Sequence, residues 1–115
     1  MAFWIRLIMA CFNLIQNAID ACKGYIKIAT EQAEDSLKIK FLNDGEVLDK
    51  ATQDKIFSPF FTTKTSGTGL GLPITKKIIE EEHNGRLTIE TEVREDREYT
   101  VFIIEIPIKL SEGEE

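Results

Sequence analysis

Asn13 and Asn17 stand four residues apart, so on a helix their carboxamides project from one face, a turn from each other. Asparagine is a poor interior helix residue, and two in register inside an apolar stretch would be costly if buried unpaired. Either the pair faces solvent or it holds a ligand or a hard cation such as Mg²⁺, which takes carboxamide oxygens and shares phosphate oxygens. Gly67, Gly69 and Gly71 lie in SGTGLGLP, directly before a helical pattern. Such a run lets backbone approach an anion and aims free N–H groups at it, although a flexible hinge has the same composition. Lys64 lies just upstream and offers a mobile ammonium suited to a polyphosphate. Asn43-Asp44-Gly45 follows a strand pattern and, read alone, is a tight turn.

Positioning these groups falls to a chain of 115 residues, long enough for one domain, with 43% hydrophobic residues to fill its core. The net charge of −6 argues against a nucleic-acid surface, and 30% charged residues beside that apolar content argue against disorder. The charge is uneven: residues 1–53 carry −1, residues 54–77 carry +3 and residues 78–115 carry −8. The one positive stretch contains Lys64 and the glycine run, where an anion would be welcome.

Cys11 and Cys22 are the only cysteines. On one helix they sit about 16 Å apart, beyond the roughly 7 Å Cα limit of a disulfide. Free, mostly buried thiols in a reducing compartment are expected, and no CxxC or Cys/His cluster suggests a metal centre. The apolar start MAFWIRLIMACF carries Arg6, has no small-residue cleavage pattern and is too short to span a bilayer. It reads as the beginning of a buried helix, with no direct membrane contact.

Between residues 2 and 22, Trp4, Leu7, Ile8, Cys11, Phe12, Leu14, Ile15, Ala18 and Ile19 recur at spacings of three and four, the mark of a helix with a wide apolar stripe. Residues 25–30 and 36–42 alternate as two strands around a polar turn. A short helix is expected over 49–56, a long loop over 57–70, a second long helix over 71–83 with a cap at Asn84-Gly85, and two strands over 86–93 and 99–108 around a charged turn, 94–98. This order predicts an α+β two-layer sandwich, helices packed on one face of a mixed, mainly antiparallel sheet. Residues 1–110 form the domain, and 111–115 an acidic tail expected to be disordered. The cluster Glu80–Glu82 reads as a solvated face. Phe57, Phe60 and Phe61 pack the loop or meet a partner.

Taken in order, NLIQNAIDA (13–21), FLNDGEVLD (41–49), IFSPFFTTK (56–64) and GTGLGL (67–72) resemble the N, G1, F and G2 boxes of the catalytic ATP-binding domain of sensor histidine kinases, within the wider gyrase, Hsp90 and MutL type of ATPase. The resemblance continues through HNGRLTIET (83–91) and YTVFIIEIP (99–107), and so covers nearly the whole chain. It implies the Bergerat-type ATP-binding fold, ATP and Mg²⁺ as ligands, and a cytoplasmic transferase of two-component signal transduction. Asn17 would ligate Mg²⁺, with Asn13 close to the same phosphates. Gly45 would let the chain approach adenine, and Thr100 would contact the adenine edge. Gly67, Thr68, Gly69, Leu70 and Gly71 would form the phosphate-cradling edge of an ATP lid, and Lys64 would reach phosphate oxygens. Leu48, Leu70 and Leu72 match apolar positions near the base.

Two positions depart from the family pattern. The aspartate that accepts the adenine amino hydrogen is Asn43 here, and the second G1 glycine is Val47. An asparagine can accept from the amino group and donate to a ring nitrogen, so affinity is expected to fall several-fold rather than vanish. The hydrolytic members place a glutamate four residues before the metal-binding asparagine, where this chain has Asn13. Without that base hydrolysis is disfavoured, whereas an imidazole nucleophile already offers its lone pair. His83, the only histidine, lacks an acceptor signature and suits a helix C-terminus. The phosphoryl acceptor is therefore expected on a separate dimerisation domain of the same kinase, with a response regulator downstream. A catalytically inactive nucleotide-binding regulatory module is the alternative, and a hydrolytic ATPase is less favoured. The family carries further elements before the N box where only 12 residues precede Asn13. Part of the sheet is then expected to be missing, and an exposed edge strand would let two copies pair as a homodimer.

Overall fold

A computed structural model describes residues 2–45, 47–58 and 71–108, with side chains from Ile5 onward. Helix α1 spans Ala2–Ala21 and leads into a hairpin of β1 (Ile26–Gln32) and β2 (Ser36–Asn43). The short helix α2 (Lys50–Lys55) starts at Asp49, whose side chain accepts from the Thr52 N–H at 2.7 Å, the expected N-cap. Helix α3 (Gly71–Lys77) continues into a π-helical turn, Ile78–Glu82, and the chain closes with β3 (Arg86–Arg94) and β4 (Arg97–Pro107). The sheet order is β1-β2-β4-β3, and all three ladders among the described residues are antiparallel. Strands β1 and β3 form its edges.

Alternation along the strands sends Phe41, Leu87, Phe102, Ile104 and Ile106 to the helical side, where Leu7, Ala10, Leu14, Ile78 and Ile79 cover them. Burying a side chain such as Leu14 or Ile104, both fully inaccessible, contributes about 2 kcal/mol each. On the opposite face Leu42, Tyr99 and Val101 form a smaller buried cluster, and Tyr25 meets Tyr99 edge to face at 5.8 Å. No helix among the described residues is long and apolar enough to cross a membrane.

Three expectations are revised. The helix α1 stripe divides: Leu7, Leu14 and Ala18 are buried, Cys11 and Ile15 half-buried, whereas Ile8, Phe12 and Ile19 join Ile5 and Met9 on an exposed apolar face. Twenty helical residues carry two apolar stripes, and the sheet covers one of them. The glutamate cluster is not simply solvated. Glu82 takes a bidentate grip from Arg6 of α1 at 2.9 and 2.8 Å, and Glu80 accepts from Lys76 Nζ at 2.8 Å and the Leu87 N–H at 3.3 Å. The turn between β3 and β4 is shorter than expected, with Glu95 and Asp96 both at positive φ, 50° and 68°. That is the mirror-image two-residue turn whose twist suits a hairpin, here without the usual glycine.

The end of the π-helical turn follows the expected cap. His83 is buried there, Asn84 takes φ 57°, and the Gly85 N–H donates to Ile79 O at 2.8 Å. A Cβ on Gly85 would lie 2.5 Å from Glu105 O, so this close approach of helix end to β4 requires glycine. Both cysteines are free and half-buried, and burial pushes the Cys11 thiol up. Lys64, Gly67, Thr68, Gly69, Leu70, Phe60, Phe61 and the tail 111–115 lie outside the described residues.

Candidate functional site

Helix α1 carries Asn13 and Asn17, both half-buried, along the flank of its buried stripe. Asn13 Nδ2 donates to Thr75 Oγ1 at 3.2 Å, and Thr75 Oγ1 in turn donates to Gly71 O at 2.8 Å. Thr75 is fully buried, and its hydroxyl accepts one hydrogen bond and donates its single proton to another. This relay joins the asparagine helix to Gly71, the first residue of α3 and the last glycine of the glycine run. Two motifs separated by more than fifty residues therefore meet. Leu72 packs half-buried against the core beside them.

Thr75 escaped the sequence reading because a threonine inside a helical pattern is ordinarily a back-bonding side chain without wider meaning. Its consequence is measurable. Thr75→Val keeps the shape but removes the acceptor of Asn13, and is expected to cost about 1–2 kcal/mol in chemical denaturation. Thr75→Ser, which keeps both hydrogen bonds, is expected to stay near the parent chain.

At the other end of α1, the turn after β2 is held by its own side chains. Asn43 is 2% exposed and lies opposite Thr100 of β4, also buried. The Gly45 N–H donates to Asn43 Oδ1 at 2.8 Å. Asp44 Oδ1 accepts from the backbone N–H groups of Lys23, Gly24 and Tyr25 at 2.8, 3.2 and 3.2 Å, which staples the exit of α1 to the turn. The Cβ position of Gly45 lies 2.2 Å from Ala21 O, so the turn presses directly on the helix end. Leu48 follows half-buried, its carbonyl accepting from Gln53 Nε2 at 2.9 Å. An open depression of about 550 Å³ lies beside this turn, lined by Lys23, Asp44, Gly45, Val47, Arg97 and Glu98.

Asp44 was also missed, since its role depends on a contact about twenty residues away. The Lys23 N–H, joined by those of Gly24 and Tyr25, holds its carboxyl below the ordinary aspartate value against the opposing effect of desolvation. A carboxylate whose folded pKa is depressed stabilises the fold above its unfolded pKa, and that stabilisation is lost as pH falls through the folded value. Between about pH 5 and pH 2 the parent's thermal midpoint is therefore expected to fall more steeply than that of Asp44→Asn, the two curves converging at the acid end.

Phe57 stacks edge to face on Phe102 at 6.4 Å and lies beneath Lys76 Nζ at 5.1 Å, so this member of the phenylalanine group serves packing. Among the described residues no three His, Cys, Asp or Glu side chains gather into a metal centre. Half-buried carboxamides suit a cation that brings its other ligands with it.

Known proteins resemble this chain in sequence and fold. Residues 4–110 match the family described as histidine kinase-, DNA gyrase B-, and HSP90-like ATPase. The signal transduction histidine-protein kinase AtoS of Escherichia coli K12 is 44% identical over 80 residues, 67% of this chain and 13% of AtoS. The nucleotide-free catalytic domain of histidine kinase ThkA superposes with a TM-score of 0.77 at 48% identity, covering 91% of this chain and 68% of that one. A structure of ThkA in complex with the response regulator protein TrrA matches at a TM-score of 0.67 and 45% identity, over 85% of this chain and 27% of that one. The chain thus spans a small part of the curated relative and about two thirds of the solved catalytic domain. With the order of its boxes, its antiparallel sheet under helices and its match over nearly all its length, the chain belongs to the histidine kinase-, DNA gyrase B- and HSP90-like ATPase family, as a catalytic ATP-binding domain of the sensor histidine kinase type.

Proposed function

We propose that this chain binds ATP with Mg²⁺ and delivers the γ-phosphoryl group to a histidine on a separate dimerisation domain of the same kinase, for onward use by a response regulator. The observation that carries the reading is the Asn13–Thr75–Gly71 relay, which ties the helix bearing Asn17 to Gly71, the last glycine of the run. In this reading Asn17 holds Mg²⁺ and Asn13 lies by the phosphates. Lys64 and the segment Gly67, Thr68, Gly69, Leu70 and Gly71 take the phosphate oxygens. Asn43, Gly45, Leu48, Leu72 and Thr100 surround the base. Bound Mg²⁺ supplies charge neutralisation to the phosphates, and positioning does most of the remaining work.

Asn13 supplies no general base, and its carboxamide is engaged with Thr75. Water is thus left unactivated, whereas a neutral imidazole needs no proton removed before attack. Binding of the ThkA relative to a response regulator supports the downstream partner. A cytoplasmic location follows from the nucleotide supply that this reaction needs. The test is radiolabelled ATP incubated with this chain, with and without the histidine-bearing dimerisation domain. Label on the acceptor histidine with negligible phosphate release from the chain alone is the expected result. Steady phosphate release without acceptor labelling would overturn it.

A further inference from the structure

We propose that β1 is a self-pairing edge, which adds antiparallel to β1 of a second copy of this chain about a two-fold axis at Ala29. Among the described residues β1 pairs with β2 alone, in an unbroken register from Ile26 opposite Asn43 to Gln32 opposite Leu37. Its outer backbone groups are thus open to another strand, and neither a proline nor a bulge interrupts its seven residues. Lys27 is the usual deterrent to such pairing, a charge on an open edge. A two-fold at Ala29 sets Lys27 of each copy opposite Glu31 of the other. Moving the axis one residue either way loses both ion pairs, and moving it two residues sets Lys27 against Lys27 or Glu31 against Glu31. Glu31 is available for this pair, being 61% exposed and only loosely approached by Lys40 Nζ at 3.7 Å. The rung of alternating charge Arg86, Glu105, Lys38 and Glu31 crosses all four strands and would continue to Lys27 of the second copy.

The helical side of the same edge supplies the apolar part. Ile28, Phe41, Phe102 and Ile89 form one rung there, in which Phe41 and Phe102 are buried and Ile89 half-buried, whereas Ile28 is 47% exposed. Helix α1 packs on β2 and the π-helical turn on β3, so the flank of α1 turned away from α3 overlooks β1. Helical spacing puts Ile8, Phe12 and Ile19 on that flank, away from Arg6 and Asn13, and all three are exposed. The two-fold brings these flanks of the two copies toward each other above the joined strands, and Ile8, Phe12, Ile19 and Ile28 leave water together. At the other edge, β3, Leu87 is already buried, and Glu92 is held by Arg94 at 2.9 Å. Asn13, Asn17 and Gly71 lie on the α3 side of α1, so pairing leaves the proposed nucleotide site open.

The test is sedimentation equilibrium of the whole chain over a wide concentration range, beside Lys27→Glu, Glu31→Lys and the variant carrying both. Circular dichroism establishes that each is folded; both side chains are exposed on β1. A reversible dimer is expected for the parent. Either single exchange creates two like-charge pairs and is expected to raise the dissociation constant about tenfold or more, and the double exchange to return it close to the parent's. A parent chain that stays monomeric throughout would overturn the proposal and give the edge to another segment or partner. A dimer that the single exchanges leave unchanged, or that the double exchange fails to rescue, would overturn it by placing the contact elsewhere. Assembly beyond the dimer would contradict a closed two-fold.

Discussion

Gly45→Ala is expected to destabilise the chain by about 2–3 kcal/mol and to abolish measurable nucleotide binding, read by denaturant unfolding and calorimetry on the same preparation. The added Cβ would lie 2.2 Å from Ala21 O, 2.8 Å from Ala21 C and 2.9 Å from Asn43 Oδ1. Two of these are backbone atoms at the end of a 20-residue helix, which cannot turn aside as a flexible side chain would. The turn must retreat from α1, and in retreating it breaks the Gly45 to Asn43 hydrogen bond and strains the Asp44 staple on residues 23–25. The stability loss comes from steric overlap. The binding loss comes from displacing Asn43 relative to α1. A variant that instead bound nucleotide normally would show that the turn lies away from the base.

Asn17→Ala is expected to remove the Mg²⁺-dependent part of nucleotide affinity, a loss of at least about tenfold, while the thermal midpoint stays close to the parent's. Mg²⁺ in phosphate sites is held through one or two protein oxygens, so deleting the single carboxamide assigned to it leaves the metal with phosphate and water alone. Asn17 is half-buried on the flank of α1 beside the buried Leu14 and Ala18, outside the apolar core itself, so truncation removes no core side chain. Asn17→Asp keeps an oxygen ligand and is expected to retain the metal dependence. Equal loss of affinity in both variants, with and without Mg²⁺, would move Asn17 from metal ligand to structural support.

Most of the architecture was legible because local patterning agreed with the final packing. The alternation of Leu37, Ile39 and Phe41 matches the helix-facing side of β2, and Asp49 caps α2 as its residue type suggests. What was not legible depends on pairs distant in sequence. Periodicity marks Ile8 and Phe12 as apolar but cannot say which of two stripes on α1 meets the sheet. Arg6 and Glu82 are 76 residues apart, and neither alone signals the bidentate pair. The same holds at the site. Asn13, Asn17 and Asn43 stood out through residue type and motif order, whereas Thr75 and Asp44 acquire their roles only through the groups that the fold brings to them. For Asn43 the sequence leaves both ends of the carboxamide open, and the fold gives its oxygen to the Gly45 N–H.

The proposed function requires a magnesium-nucleotide site beside α1 and Gly71. Its most direct test is titration of this chain with a non-hydrolysable ATP analogue in the presence and absence of Mg²⁺. One binding event per chain, strengthened by the metal, is the predicted result. A folded chain that takes up no nucleotide, or takes it up identically without Mg²⁺, would contradict the account.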